Sequence, residues 1–138
     1  MKLIKIIIFL TLCSSHLFAK NEFFNEGLNL FEKSQFEKAK FKFEQDIVYN
    51  PKNEKSYLYL SKIFNKLEKK ELEEKNLNTV ILLNPKNEDA VYSLAKLRLK
   101  KSDFKGSKKL IDQLLVFCKK YCQKSNDLQK EIENSLKK

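Results

Sequence analysis

The pentapeptide Asn-Pro-Lys-Asn-Glu occurs twice, at Asn50–Glu54 and Asn84–Glu88, and its prolines, Pro51 and Pro85, are the chain's only two. They stand 34 residues apart. Proline lacks an amide donor and its ring clashes with the preceding turn, so each copy marks a place where one helix stops. Asn53 and Asn87 can accept hydrogen bonds from the first free amides of a following helix, and Glu54, Glu88 and Asp89 place negative charge at its positive end. Each pentapeptide is expected to be a corner between helices, and the 34-residue spacing implies a repeating two-helix unit.

Composition agrees with an all-α chain. Two glycines and two prolines among 138 residues are too few for a sheet protein rich in tight turns, whereas 33% charged residues suit solvated helices carrying apolar stripes. The formal charge is +10, yet only one of the 28 basic residues is an arginine, Arg98. Arginine is the residue suited to forked recognition of phosphate, so a balance made of lysine is weak evidence for nucleic acid, and none is expected as a partner.

Residues 1–19 form an address. Lys2 and Lys5 precede the apolar run Ile6–Leu12, and Ala19 closes the segment as a small residue at a cleavage point. The run is short for a membrane span. Export to the periplasm or cell envelope is expected, with an uncleaved anchor as an alternative. Leu10-Thr11-Leu12-Cys13 is similar to a lipobox, but Leu12 stands where a small residue is usual, so lipidation at Cys13 is the weaker alternative. Cleavage removes His16, the only histidine, and leaves no imidazole for base catalysis or metal binding. No catalytic residue, metal or cofactor is implied, and an enzyme is not expected.

Apolar residues recur with a helical period throughout. Phe23, Phe24, Gly27, Leu28, Leu30 and Phe31 mark a first helix, and Ser34-Gln35-Phe36-Glu37 reads as a capping box opening a second that carries Phe36, Ala39, Phe43 and Ile47. Tyr57, Leu60, Ile63 and Phe64, then Leu72, Asn76, Leu77, Val80 and Ile81, mark the next pair. Val91, Leu94, Ala95 and Leu97 mark the first helix of a third pair, and Ser102 reads as the cap of its partner, with Phe104, Leu110, Ile111, Leu114 and Leu115. A last helix over 126–137, capped by Ser125, has a narrow stripe of Leu128, Ile132 and Leu136, suited to a terminal cap.

On these residues the chain resembles the tetratricopeptide repeat family. Gly27, Ser61 and Ala95 match the small residue of the first helix, and Phe23, Tyr57 and Val91 its large early residue. Phe36 and Phe104 match the aromatic that opens the second helix, Ala39 and Ser107 its small residue, Phe43, Leu77 and Ile111 its later large residue, and Pro51 and Pro85 the closing proline. Lys70, Glu73, Arg98, Asp46 and Lys119 depart from the pattern, so the middle repeat is expected to pack less tightly on its outer side. The resemblance implies an α-solenoid of three antiparallel helix pairs and a capping helix, about seven helices in all, with repeats over 20–53, 54–87 and 88–121 and a cap over 122–138.

It further implies a groove lined by the first helices that holds a peptide or a partner's helix. The residues left over from the core stripes are Phe24, Leu28 and Phe31; Lys55, Leu58, Tyr59, Lys62 and Lys66; and Tyr92, Lys96 and Leu99. The same side chains could instead pack on neighbouring helices. The family's carboxylate clamp of Lys, Asn and Arg has no counterpart, since Phe24, Leu28, Tyr59, Asp89 and Ser93 occupy the matching places. A protein or peptide ligand with apolar anchors and some negative charge is expected.

Two features remain. Arg98, Lys100, Lys101, Lys105, Lys108 and Lys109 concentrate basic charge in the third repeat, which gives the alternative reading, a peripheral envelope protein resting on anionic membrane or cell-wall polymer. Cys118 and Cys122 flank the corner at Lys119 where a third proline would fall, and a disulfide there could fix it. Within one continuous helix the pair would sit near the upper end of the reach of a disulfide.

Overall fold

The computed structural model describes residues 22–137. The expected export segment over 1–19, with Cys13 and His16, lies outside them. Among the described residues there are, in order, seven helices: α1 Glu22–Glu32, α2 Phe36–Tyr49, α3 Glu54–Lys66, α4 Lys70–Leu83, α5 Glu88–Lys100, α6 Phe104–Phe117 and α7 Cys122–Leu136. The boundaries repeat with the period of the prolines. First helices α1, α3 and α5 end at Glu32, Lys66 and Lys100, and second helices α2, α4 and α6 begin at Phe36, Lys70 and Phe104, each one proline-to-proline period after the last.

The turn inside each helix pair is built by backbone. Ser34, Glu68 and Ser102, spaced by the same period, have φ of 58°, 56° and 60°. Each closes the preceding helix: the following amide reaches back to a carbonyl five residues earlier, Gln35 to Leu30, Lys69 to Phe64 and Asp103 to Arg98, each at 2.9 Å. The left-handed residue donates to a carbonyl three residues earlier, as Ser34 does to Phe31. This double bond satisfies carbonyls that a helix end would otherwise orphan. The capping roles expected of Ser34 and Ser102 are therefore corrected. A cap needs an extended backbone, and both serines already serve as the left-handed residue that ends the helix before. Gln35 precedes α2 without a side-chain cap, whereas Asp103 caps α6 by accepting from Gly106 N at 2.9 Å.

Two compact units divide within α3, one ending at Tyr59 and the other beginning at Leu60. In the first, Gly27 of α1 lies against Phe43 of α2, and a Cβ there would come within 2.8 Å of the ring. Only glycine allows that approach. Ala39, Phe43 and Leu58 are buried with it, and so is Asp46, at 1% exposure. Asp46 accepts from Asn53 Nδ2 at 2.7 Å and from the Ser56 hydroxyl. The first pentapeptide corner is thus tied to the preceding helix by a buried carboxylate.

In the second unit Val91, Ala95, Ile111, Leu114, Leu128 and Ile132 form the core, with Ile81, Tyr92, Leu99, Phe104, Leu115 and Tyr121 packed against it. Its pentapeptide corner is simpler, since Asn87 accepts from Ala90 N at 3.0 Å and caps α5. Glu73, another departure from the repeat pattern, is buried and accepts from Asn65 Nδ2 at 3.0 Å. Its desolvation outweighs that bond and raises its pKa. The outer side of α4 is more open than the stripe suggested: Leu72 is 41% exposed, following Lys70 at the position of the half-buried Phe36 and Phe104.

The third corner is built differently. Cys118 and Cys122 are joined by a disulfide across 5.3 Å between their Cα atoms. They do not lie in one continuous helix, because Cys118 follows the end of α6 and Cys122 opens α7. The Glu88 carboxylate accepts the amides of Lys119, Lys120 and Tyr121, each at 2.9 Å, and the Tyr121 hydroxyl donates to Asp89 at 2.6 Å. Partial desolvation pushes the Glu88 pKa up, but the three amides prevail and hold it below the usual value. Burial, then the bond to Asp89, pushes the Tyr121 phenol up to about 12. Ser125 is consequently not a cap. It is buried three residues into α7.

Candidate functional site: the faces of the first helices

First helices offer side chains that the core stripe leaves over, and each unit uses them differently. In the first unit the aromatic ones, Phe24, Phe31 and Tyr59, pack on one another. Phe31 meets Tyr59 edge-on with ring centroids 5.1 Å apart, Phe24 meets Tyr59 at 5.9 Å, and Tyr59 stacks on Phe43 at 5.2 Å. Phe24, Leu28, Phe31 and Tyr59 are half-buried and Lys55 is exposed. Leu58 is buried at 9% exposure. An apolar plate of partly covered rings is what this unit presents.

In the second unit two of the candidate residues, Lys96 and Leu99, border a cavity. Lys62 is half-buried and Lys66 exposed on α3. On α5, Tyr92 stacks against Tyr121 with centroids 4.9 Å apart, and the Lys96 ammonium lies 5.9 Å from the Tyr92 ring. A pocket of about 260 Å³ opens beside them, lined by Lys96, Leu99 and Lys100 of α5, Phe104 of α6, and Leu128, Glu131 and Ser135 of α7. Burial, then the charges of Glu131 and Asp127, raises the Tyr92 pKa. The pocket is therefore lined by three apolar side chains, two ammonium groups, one carboxylate and one hydroxyl.

Sequence reasoning found Lys96 and Leu99 but missed the α7 wall. Leu128, Glu131 and Ser135 are spaced three and four apart, which places them on one helical face, and that spacing was available as a signal. It was hidden because the last helix reads as a plain cap, with Leu128 assigned only to the stripe that covers the core. Leu136, assigned to the same stripe, is 45% exposed.

The basic cluster of the third repeat is partly neutralised. Arg98 lies 3.8 Å from Glu74 and 3.5 Å from Asp103, Lys101 binds Glu74 at 2.7 Å, and Lys108 binds Asp112 at 2.8 Å. Lys100, Lys105 and Lys109 are exposed. Surface pairs of this kind contribute little to stability but remove net charge from the face they occupy.

Solved structures with the same arrangement of helix pairs identify the architecture. The first tetratricopeptide domain of Spaghetti (RPAP3) bound to an HSP90 peptide superposes with a TM-score of 0.75 over 89% of this chain and 94% of that one, at 16% identity. The TPR2B domain of yeast Sti1 in complex with an Hsp70 peptide gives 0.76 over 83% and 96%, also at 16% identity. The fold is that of a tetratricopeptide-repeat domain. The second tetratricopeptide domain of human RPAP3, with an HSP70 peptide, matches over 86% of this chain and 98% of that chain, at 17% identity and a TM-score of 0.73. No protein-family model and no curated protein matches the sequence. At these identities the likeness carries the tetratricopeptide-repeat fold, and the chemistry of the faces rests on this chain's own residues.

Proposed function

We propose that the chain is a non-enzymatic protein-interaction scaffold that binds a peptide or a helix on the faces of its first helices, and that it acts in the bacterial cell envelope after export. The observation that carries this reading is the pocket of about 260 Å³ between α5, α6 and α7, apolar at Leu99, Phe104 and Leu128 and bordered by Lys96 and Lys100. A cavity of that size accepts one large apolar side chain, and the two ammonium groups favour a carboxylate beside it. Binding would rest on shape, apolar burial and charge, with no covalent step. The peptide complexes of the structural neighbours support the same use of the fold. A second reading, a peripheral envelope protein on an anionic surface, is favoured by the exposure of Lys100, Lys105 and Lys109.

The test is selection of displayed peptides on the full chain, followed by measurement of their affinity for variants. Selected peptides are expected to carry an aromatic or aliphatic residue next to Asp or Glu. Lys96→Glu combined with Lys100→Glu, both exposed positions, should weaken them by roughly tenfold or more, whereas Lys75→Glu on α4 should not. Equal affinity for the pocket variant would overturn the reading.

A further inference from the structure

The second helices carry an exposed apolar residue at one fixed place in the repeat. Val48 is 75% exposed, Leu82 is 81% and Val116 is 87%, and these positions recur at the same period as the prolines. Their neighbours turn inward: Ile81 and Leu115 pack on the core of the second unit. The residue four places after each, Lys52, Lys86 and Lys120, is an exposed lysine in all three repeats. A lone exposed aliphatic side chain is ordinary, but the same one at the same position three times, each time followed by lysine, is a pattern.

Within the second unit the surroundings are basic. Helical spacing puts Glu71, Lys75 and Asn78 on the face of α4 that carries Leu82, and Lys105, Lys109 and Asp112 on the face of α6 that carries Val116. Asp112 is occupied by Lys108 at 2.8 Å and by Gln129 Nε2 at 2.9 Å, and Lys120 keeps a 3.5 Å contact with Asp89. Lysine therefore dominates what these faces offer to a large partner.

We propose that the outward faces of α4 and α6 dock on an anionic lipid bilayer, with Leu82 and Val116 entering the headgroup region and Lys75, Lys86, Lys105 and Lys109 meeting lipid phosphates. Charge complementarity selects this occupant. A second copy pairing through the same faces would set lysine against lysine, whereas an anionic surface attracts each of them. Side chains as exposed as Leu82 and Val116 stand proud of the surface, which suits insertion among headgroups. These faces share no residue with the α5–α7 pocket, so the proposal stands or falls independently of peptide binding.

The chain has no tryptophan, so a single introduced one reports its own position. Leu82→Trp, Val116→Trp and, as a control on the pocket side, Lys96→Trp are made in the full chain. Each is titrated with vesicles of phosphatidylcholine alone or of phosphatidylcholine and phosphatidylglycerol mixed roughly two to one, some carrying brominated acyl chains. Blue shift and bromine quenching are expected for Leu82→Trp and Val116→Trp on anionic vesicles only, lost in about 0.5 M salt. At roughly a factor of five per lysine, Lys105→Gln with Lys109→Gln should weaken the Val116→Trp response about 25-fold. No shift at either reporter would overturn the proposal even if the chain stays on the vesicles through its N-terminal segment. So would an equal shift for Lys96→Trp, or a blue shift that needs only raised protein concentration, which would indicate a second copy.

Discussion

The two pentapeptide corners have identical sequences but different interiors, and exchanging one interior for the other gives a sharp test. Asp46, Asn53 and Ser56 of the first corner correspond to Val80, Asn87 and Ala90 of the second. In the first, Asp46 and Ser56 are 1% and 0% exposed and bonded to each other, Asn53 Nδ2 lies 2.7 Å from the carboxylate, and Asp46 Oδ1 has no partner. Asp46→Val leaves the buried Ser56 hydroxyl without its acceptor and Asn53 Nδ2 with only Ser56 Oγ, at 3.1 Å, which should cost about 2 kcal/mol. Ser56→Ala removes a hydrogen bond to a buried carboxylate and should cost about 1.5–3 kcal/mol. Together the two changes replace the network with the apolar arrangement of the second corner and remove a buried carboxylate with an unmatched oxygen. Asn53 Oδ1, which already accepts from Lys55 N at 3.2 Å, keeps its place at the start of α3, as Asn87 does at α5. The double variant should lie within about 1 kcal/mol of the parent, a coupling of at least about 2 kcal/mol between the sites. Urea unfolding of the full chain followed by circular dichroism measures the cycle. Additive losses, with the double variant worse than either single one, would refute the idea that the buried carboxylate is tolerated only through its partners.

Ser34→Gly, Glu68→Gly and Ser102→Gly relieve a left-handed residue in each turn and should each raise stability by about 0.5–1 kcal/mol in thermal melts, whereas valine at any of them should lower it. Cys118→Ser with Cys122→Ser opens a short loop worth about 2 kcal/mol in chain entropy and should lower the melting temperature of the oxidised chain but leave the reduced chain nearly unchanged. Glu88 has a lowered folded-state pKa, so its contribution is complete above the ordinary value of 4.5 and is lost as pH falls through the lower folded value. Acid unfolding should therefore show a late component below that value which Glu88→Gln lacks. Tyr121 is the opposite case: its phenol, at about 12, favours folding below its ordinary 10.0 and that preference fades as pH rises from there through about 12, readable as a delayed phenolate absorbance in the folded chain.

Much of the architecture is legible in the residues because it follows from local rules that act within a few positions. Pro51 and Pro85 end helices wherever such residues occur, and small residues stand at Gly27 and Ala95 because the helices of a pair approach closely there. Binary patterning similarly located the cores around Phe43 and Ile111. The capping box at Ser34 and the cap at Ser102 failed for an equally local reason. Ser34-Gln35-Phe36-Glu37 has the composition of a helix start, but the left-handed closure of the preceding helix competes for the same residue and wins, as the unrelated Glu68 in the same conformation demonstrates.

The repeat period, the helix pairing and the all-α class were determined by the sequence alone, since each depends on chain-local sterics and on which side of a helix is apolar. Only the tertiary structure decided how leftover side chains are used. It buried Leu58, turned Phe24, Phe31 and Tyr59 onto one another, and brought Leu128, Glu131 and Ser135 of the last helix to a pocket beside Lys96. It also gave Glu88, at the start of α5, three backbone amides from beyond the end of α6, and left Leu82 and Val116 exposed while Ile81 and Leu115 packed inward. Those outcomes depend on contacts between residues distant in the chain, and the angle at which one helix meets another is set by all the side chains between them.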